Sequence, residues 1–400
     1  VADLHKAAQQ VDGGRIASLA ARLVATDSVN PTLVPGAAGE RAVATLLADE
    51  CRGFGLAVRI DEVAPGRYNA IAKLSARRPG KRLMLNGHMD TVDGDAMLSA
   101  GRDPFSGRIE GARLMGRGAY DMKGSLAAMV EAARALAAVG LEAGEVILTF
   151  VADEEYASLG TADVVRRMAS DGRPDAAIVV EPTGLDVCIA HKGFVWAKIT
   201  TSGRAAHGSL YDEGDDAVVR MGHVLAALDR LDRTILSARR HPLLGRASLH
   251  ASTIRGGLGL STYPDRCDLE IERRTLPGES DDAVMAEING LLDAARTSSP
   301  GLRGGVEMML SRPPFDVDPE AEIVQAVVAS AHAVLGRRPE IIGLGAWFDA
   351  ALLGAAGVPT VMFGPSGEGA HAAEEWVDLR SLAHCASTLV DVAARFCAGR

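Results

Sequence analysis

The chain has 400 residues, 48% of them hydrophobic and 24% charged, which argues against disorder, provides for a large core and suits two domains. A formal net charge of −10, with Lys and Arg scattered along the chain, excludes a nucleic-acid partner, since phosphate binding needs clustered bases. Three features point to a cytoplasmic protein with no membrane partner: dispersed cysteines (Cys51, Cys188, Cys267, Cys385, Cys397) without a CxxC pair, charges within Val1–Gln10, and no apolar run near the roughly 18 residues of a membrane span.

In chain order, apolar spacing predicts helices over 15–27 and 39–52, separated by Ser28-Val-Asn-Pro-Thr32 and a Pro-Gly turn. Short β-type runs follow at Leu56–Ile60, Asn69–Leu74 and Arg82–Leu85, and the last leads into Gly87-His-Met-Asp-Thr-Val92. Gly116–Gly124 reads as a glycine-bounded loop before a helix over Ser125–Val139. Val146–Ala152 is continuously apolar, the mark of a buried central strand, and ends in Asp153-Glu154-Glu155. A helix near 160–169 and a strand, Ala176–Val180, repeat the pattern and end in Glu181-Pro182-Thr183. Each strand thus delivers carboxylates at its carboxyl end, the edge where open α/β sheets bind ligands.

From about residue 191 the pattern changes to strand 194–200, helix 215–231, strands 247–254 and 266–272, helix 280–296 and strand 304–310. That is the βαββαβ order of a ferredoxin-like, split βαβ unit. After Pro313-Pro314 come helix 319–335, a glycine-rich loop at 343–345, helix 348–355, strand 360–363 and helix 380–397. The expected fold is α/β. A discontinuous catalytic domain (1–190 and 313–400), with a mostly parallel mixed sheet flanked by helices, is interrupted by an inserted domain (191–312).

His88, Asp121, Glu154, Glu155, Glu181 and His371, with Asp90 beside His88, form the donor inventory of a centre for two divalent ions. Side chains two apart on a strand share a face, so Asp90 is placed to hold the second nitrogen of His88. Asp121, in Gly-Arg-Gly-Ala-Tyr-Asp-Met-Lys-Gly, suits a bridge between two ions, and equally reads as a cap on the following helix. Adjacent Glu154 and Glu155 point different ways, so one could bind metal while the other faces a water; a solvated loop is the alternative. Glu181 also reads as a turn residue, and His371 as loop surface. His5, His223, His241, His250, His332 and His384 read as surface or satisfied interior groups. His207, in Ser202-Gly-Arg-Ala-Ala-His-Gly-Ser209, follows the first strand of the inserted domain and stands apart from them.

These segments, together with Arg274-Thr-Leu-Pro-Gly278 and Gly364-Pro to Ala-His371, occur in the order of a metallopeptidase family. The chain resembles M20, the family of acetylornithine deacetylase, succinyl-diaminopimelate desuccinylase, aminoacylase and the glutamate carboxypeptidases. The resemblance spans nearly the whole chain. It implies two Zn²⁺ ions, with Co²⁺ or Mn²⁺ as alternatives: His88, Asp121 and Glu181 on one, and Asp121, Glu155 and His371 on the other. It implies further that Glu154 is the general base, that Asp90 supports His88, that His207 reaches a partner subunit's active site, and that Arg274 binds the substrate carboxylate. A homodimer through the inserted domain follows from the same likeness. Ser261, where the family often has asparagine, and Phe348, where a small hydroxyl residue is common before the acid, depart from the pattern near the implied substrate pocket.

The expected activity is hydrolysis of the amide bond of an N-acyl amino acid, acetylornithine-deacetylase-like, by metal-activated water. A dipeptidase or carboxypeptidase acting on short peptides is the alternative within the family. A non-catalytic metal-dependent binding module would have no use for Glu154. Two-metal phosphoester hydrolysis would want several basic clamps, and only Arg274 offers itself.

Overall fold

The structure, a computed structural model, describes residues 9–399, so His5 lies outside the described residues. The described residues open with helices α1 (Gly13–Ala25) and α2 (Arg41–Gly53), then strands β1 (Ala57–Ala64), β2 (Arg67–Ser75) and β3 (Arg82–His88). Helix α1 starts where Asp12 accepts hydrogen bonds from the amides of Gly14 and Arg15, and buries Ile16, Leu19, Ala20, Leu23 and Val24, the three-four spacing of one helical face. A short helix α3 (Asp95–Ser99) and the hairpin β4 (Arg108–Glu110) and β5 (Arg113–Met115) precede a single wide turn over Ala119–Lys123. Helix α4 (Gly124–Val139), strand β6 (Glu145–Val151), helix α5 (Leu159–Asp171) and strands β7 (Ala176–Val179) and β8 (Val187–His191) follow.

The inserted segment comprises β9 (Gly193–Ser202), α6 (Ala217–Arg230), the two-residue strands β10 (Arg240–His241) and β11 (Gly245–Arg246), β12 (Ser248–Gly256), β13 (Arg266–Thr275), α7 (Asp281–Ser298) and β14 (Arg303–Arg312). The chain ends with β15 (Phe315–Asp316), α8 (Glu322–Leu335), β16 (Ile341–Leu344), α9 (Ala350–Ala355), β17 (Thr360–Met362), β18 (Gly367–Glu368), β19 (Trp376–Asp378) and α10 (Leu379–Cys397).

The main sheet runs β1-β2-β6-β3-β7-β17-β8-β15, with β16 also on β8. Its centre is parallel: β6 with β3, β3 with β7, and β7 with β17. Its flanks, β1 on β2 and β15 on β8, are antiparallel. Strand β6 is buried along Val146, Ile147, Leu148, Phe150 and Val151, as a continuously apolar sequence requires. Each such side chain contributes about 1.5 to 3 kcal/mol by leaving water. Helix α4 is buried nearly all round, through Leu126, Met129, Ala133 and Leu136.

The chain divides into two compact units. One holds residues up to Ile189 together with Val317–Ile342 and Phe348–Arg400; the other holds Ala190–Asp316 and Gly343–Trp347. In the second, an antiparallel sheet in the order β12-β13-β9-β14 buries alternate residues of β9 (Val195, Ala197, Ile199). Those residues pack with Met221, Val224 and Leu228 of α6 and Ile288 and Leu292 of α7. This is the βαββαβ arrangement predicted from the sequence.

Residues 341–344 are strand β16, where the sequence predicts a loop over 343–345: Gly343 packs against Leu243 and Leu244, with no room for a β-carbon. The sequence predicts neither strand β8 nor the small sheet β18-β19-β5-β4. The small sheet's two- and three-residue strands are too short to display a period.

Candidate metal centre

Register brings the acids together. His88 on β3 pairs with Val151 on β6, and Asn86 with Val179 on β7, so the three parallel strands end level with one another. The residues just beyond those ends are Asp90, Asp153-Glu154-Glu155 and Glu181. Gly87 lets α4 approach β3: a β-carbon there would lie 2.7 Å from both Leu126 Cδ2 and Met122 Cε.

Asp121 arrives from the wide turn before α4. The amides of Tyr120 and Asp121 donate to Glu375 Oε1 at 3.0 and 3.1 Å, and Arg117 Nη1 donates to Glu375 Oε2 at 2.7 Å. At the end of the turn, buried Lys123 donates from Nζ to the Thr26 carbonyl at 2.7 Å. Burial draws its ammonium down to about 7, against the pull of Asp27, Glu375 and Asp90. Neither Arg117 nor Glu375 carries a sequence signal of this role beyond the acid pair Glu374-Glu375 shortly after His371. His371 itself has φ of +63°, in the left-handed region, on the turn that begins with Gly369.

The resulting geometry has Asp121 at its middle. Its Oδ1 lies 3.0 Å from His88 Nε2, and its Oδ2 lies 3.4 Å from His371 Nε2. Glu181 Oε1 is 3.7 Å from His88 Nε2, and Glu155 Oε2 is 3.0 Å from His371 Nε2. Among the described residues two groups could each hold a cation, His88–Asp121–Glu181 and Asp121–Glu155–His371, the donor atoms of each lying within 4.8 Å of one another. The structure thus brings together the residues that the family resemblance implies as ligands. Asp90 supports His88 chiefly through its backbone: the Asp90 carbonyl is 3.0 Å from His88 Nδ1, whereas the carboxylate is 3.6 Å away. The carboxylate instead accepts from the amides of Glu154 and Glu155, at 3.1 and 3.2 Å.

The electrostatics favour a cation. Burial, reinforced by Glu181, Asp349 and Glu155 and opposed by His88, raises the Glu154 carboxyl well above its usual range. Burial likewise raises Glu181 and Glu155. Asp121 is lowered, because hydrogen bonds to His371 and His88 outweigh its burial. The same contacts, with Asp121 first and Glu155 next, raise His371 to about 10. His88 is raised too: its burial is outweighed by hydrogen bonds to Asp121 and Asp90. Buried Asp349 joins the cluster, its carboxyl pushed up to about 6 by burial. Carboxylates thus outnumber imidazoles, and Glu181 Oε2 is buried without a hydrogen-bond partner. Mixed nitrogen and oxygen donors, three per group around a shared aspartate, fit a pair of divalent ions that each keep an open position.

His207 and Arg274 belong to the second unit. His207 is exposed, its Nδ1 2.8 Å from Ser209 Oγ. Arg274 donates from Nε to Glu272 at 2.8 Å and lies over the ring of Phe194.

The fold and this acid-and-imidazole cluster define a metal-dependent hydrolase. The chain belongs to peptidase family M20/M25/M40, whose model matches residues 84–395. It is 28% identical over 387 residues to the acetylornithine deacetylase of Photorhabdus laumondii, covering 94% of this chain and 96% of that one. To the Myxococcus xanthus acetylornithine deacetylase it is 28% identical over 348 residues, covering 85% and 87% of the two chains. In fold it is similar to the aminopeptidase PepT of Bacillus cereus, with a TM-score of 0.79 and 20% identity over 97% of this chain and 99% of that one. A dinuclear metal-binding peptidase of family M20 from Bacillus subtilis matches with a TM-score of 0.73 and 16% identity over 96% and 98% of the chains.

Proposed function

We propose that this hydrolase cleaves the amide bond of an N-acyl amino acid, as an acetylornithine-deacetylase-like deacylase. The observation that carries the reading is Asp121, whose two oxygens face two different imidazoles, with half-buried Glu154 in the same cluster. His88, Asp121 and Glu181 would hold one ion and Asp121, Glu155 and His371 the other, zinc being the first choice and cobalt or manganese the alternatives. Bound there, the ions would supply Lewis acidity, lowering the pKa of water and polarising the scissile carbonyl. Glu154 takes the proton of the attacking water and returns it to the leaving nitrogen, a role that suits a carboxyl raised by burial. Asp90 fixes the tautomer of His88 through its carbonyl and orients both glutamates through its carboxylate. His207 donates to the oxyanion, and Arg274 binds the substrate carboxylate.

The two deacetylase relatives support deacylation over peptide cleavage. Metal-loaded protein assayed on N-acetyl, N-succinyl and N-formyl amino acids beside dipeptides tests this. Turnover of the acyl amino acids is expected, and turnover of dipeptides alone would overturn it in favour of a dipeptidase or carboxypeptidase.

The assembly we propose is a homodimer through the inserted unit. Its edge strand β12 exposes Ile254, and the following loop exposes Leu258 and Leu260. Sedimentation at micromolar concentration should give twice the chain mass; a monomer would refute it. Five buried free thiols suit a reducing compartment such as the cytoplasm.

A further inference from the structure

The turn that carries Glu154 and Glu155 is tied to two distant segments by a buried polar chain. Asp90, which accepts from both glutamate amides, also accepts from Asn30 Nδ2 at 2.8 Å. The same nitrogen donates to Asp153 Oδ1 at 3.0 Å. Asp153 immediately precedes Glu154 and has φ of +70°, a conformation that a non-glycine residue keeps only when its surroundings hold it. Arg67, on β2, completes the chain: Nη1 donates to Asp153 Oδ1 at 2.8 Å, and Nε donates to the two oxygens of Glu40 at 3.1 and 3.0 Å. Asn30, Asp90, Asp153 and Glu40 are fully buried.

The chemistry at position 30 is restrictive. A primary amide carries two N–H donors on one nitrogen and no charge, so it can join two carboxylates without adding to the negative charge already buried there. An aspartate of the same shape would add another. The Ser28–Thr32 turn, read from the sequence only as a separator of helices, places that amide. Asn30 Oδ1 accepts from the Thr32 amide at 2.9 Å, and the Asn30 amide donates to the Thr91 carbonyl at 2.9 Å.

We propose that Asn30 is a positioning residue for the reaction: it clamps Asp90 to Asp153, and so sets where Glu154 and Glu155 stand relative to His88, with Arg67 anchoring the far end. The proposal rests on the reading of Glu154 as the base. Its test uses the full, metal-loaded chain carrying Asn30→Ala, or Asn30→Asp, which keeps the volume and loses the amide donors. Each is measured alone and combined with Glu154→Asp. Removing such a support is expected to lower kcat about 10- to 100-fold, with KM unchanged. In the Glu154→Asp background, where the carboxylate is already displaced, the same substitution should cost less, a coupling that a merely structural role would not produce.

A folded, metal-loaded Asn30→Ala chain with normal kcat overturns the clamp, as does an equal cost in both backgrounds. If neither variant folds, the role of Asn30 is structural and the proposal falls. A Glu154→Gln chain that retains turnover refutes the base instead. Loss of turnover in Glu154→Gln beside an unaffected Asn30→Ala refutes only the clamp.

Discussion

At the residue scale, Glu154 and His207 differ in what surrounds them. Glu154 is packed among carboxylates, and burial holds its proton affinity high; His207 is exposed on the other unit beside Ser209. Neither belongs to the two trios, so neither should govern metal content. Glu154→Gln should therefore retain two ions per chain while turnover falls by about 10²-fold or more, the contribution of a positioned general base. His207→Ala should lower kcat by a similar factor of about 10² through loss of an oxyanion donor, again with metal unchanged. Metal analysis beside steady-state kinetics checks both. A Glu154→Gln chain that had lost an ion would move Glu154 into the ligand set.

At the element scale, strand ends decide the site, and what lets them close up is the absence of side chains. Gly364 follows β17 directly over the end of β7, and a β-carbon there would meet the Glu181 carbonyl oxygen at 2.2 Å and its carbon at 2.7 Å. Those are backbone atoms, which cannot swing aside as a side chain does. Gly364→Ala should therefore push Glu181 away from His88, lower metal content from two ions toward one, and cost about 1 to 3 kcal/mol, as overpacking commonly does. Metal analysis and thermal melting would show it, and a variant holding both ions at wild-type stability would contradict the account. Gly160 plays a comparable part after β6: its β-carbon position lies 2.3 Å from the Ala152 amide.

At the scale of the molecule, the cluster makes metal-free stability depend on pH. Burial raises Glu154, Glu155 and Glu181, and contacts to Asp121 and Glu155 raise His371 to about 10. A group raised in the folded state adds stability that is complete below its unfolded pKa and is lost as pH climbs through the folded one. Asp121 and Asp90, which are lowered, act in the opposite sense below the ordinary aspartate value of 3.8, and Lys123, lowered to about 7, does so between that value and its ordinary 10.5. Metal-free protein should therefore melt at progressively lower temperature as pH rises from the ordinary glutamate value of 4.5 toward about 7, above which the gain from Lys123 opposes the further loss from His371. Cations replace those protons, so metal-loaded protein should show a shallower slope. Calorimetry on both forms across that range tests this; equal slopes would refute it.

The sequence by itself determined what depends on local pattern. Continuous apolarity made β6 a central strand, alternation and helical spacing gave the βαββαβ insert, and acids and histidines at strand ends and in glycine-rich loops, read with the family resemblance, put forward His88, Asp121, Glu154, Glu155, Glu181 and His371 as a set. Only the tertiary structure decided contacts between segments distant in the chain. Strand register brought the ends of β3, β6 and β7 level, and the Asp90 carbonyl, rather than its carboxylate, came to lie nearest His88 Nδ1. Glu375 closed on the Asp121 turn from more than 250 residues away, and Asn30 joined Asp90 to Asp153. Periodicity records which face of an element is buried. A buried hydrogen bond between remote polar residues leaves no period, because its partners meet only when the sheet and its loops have closed around them.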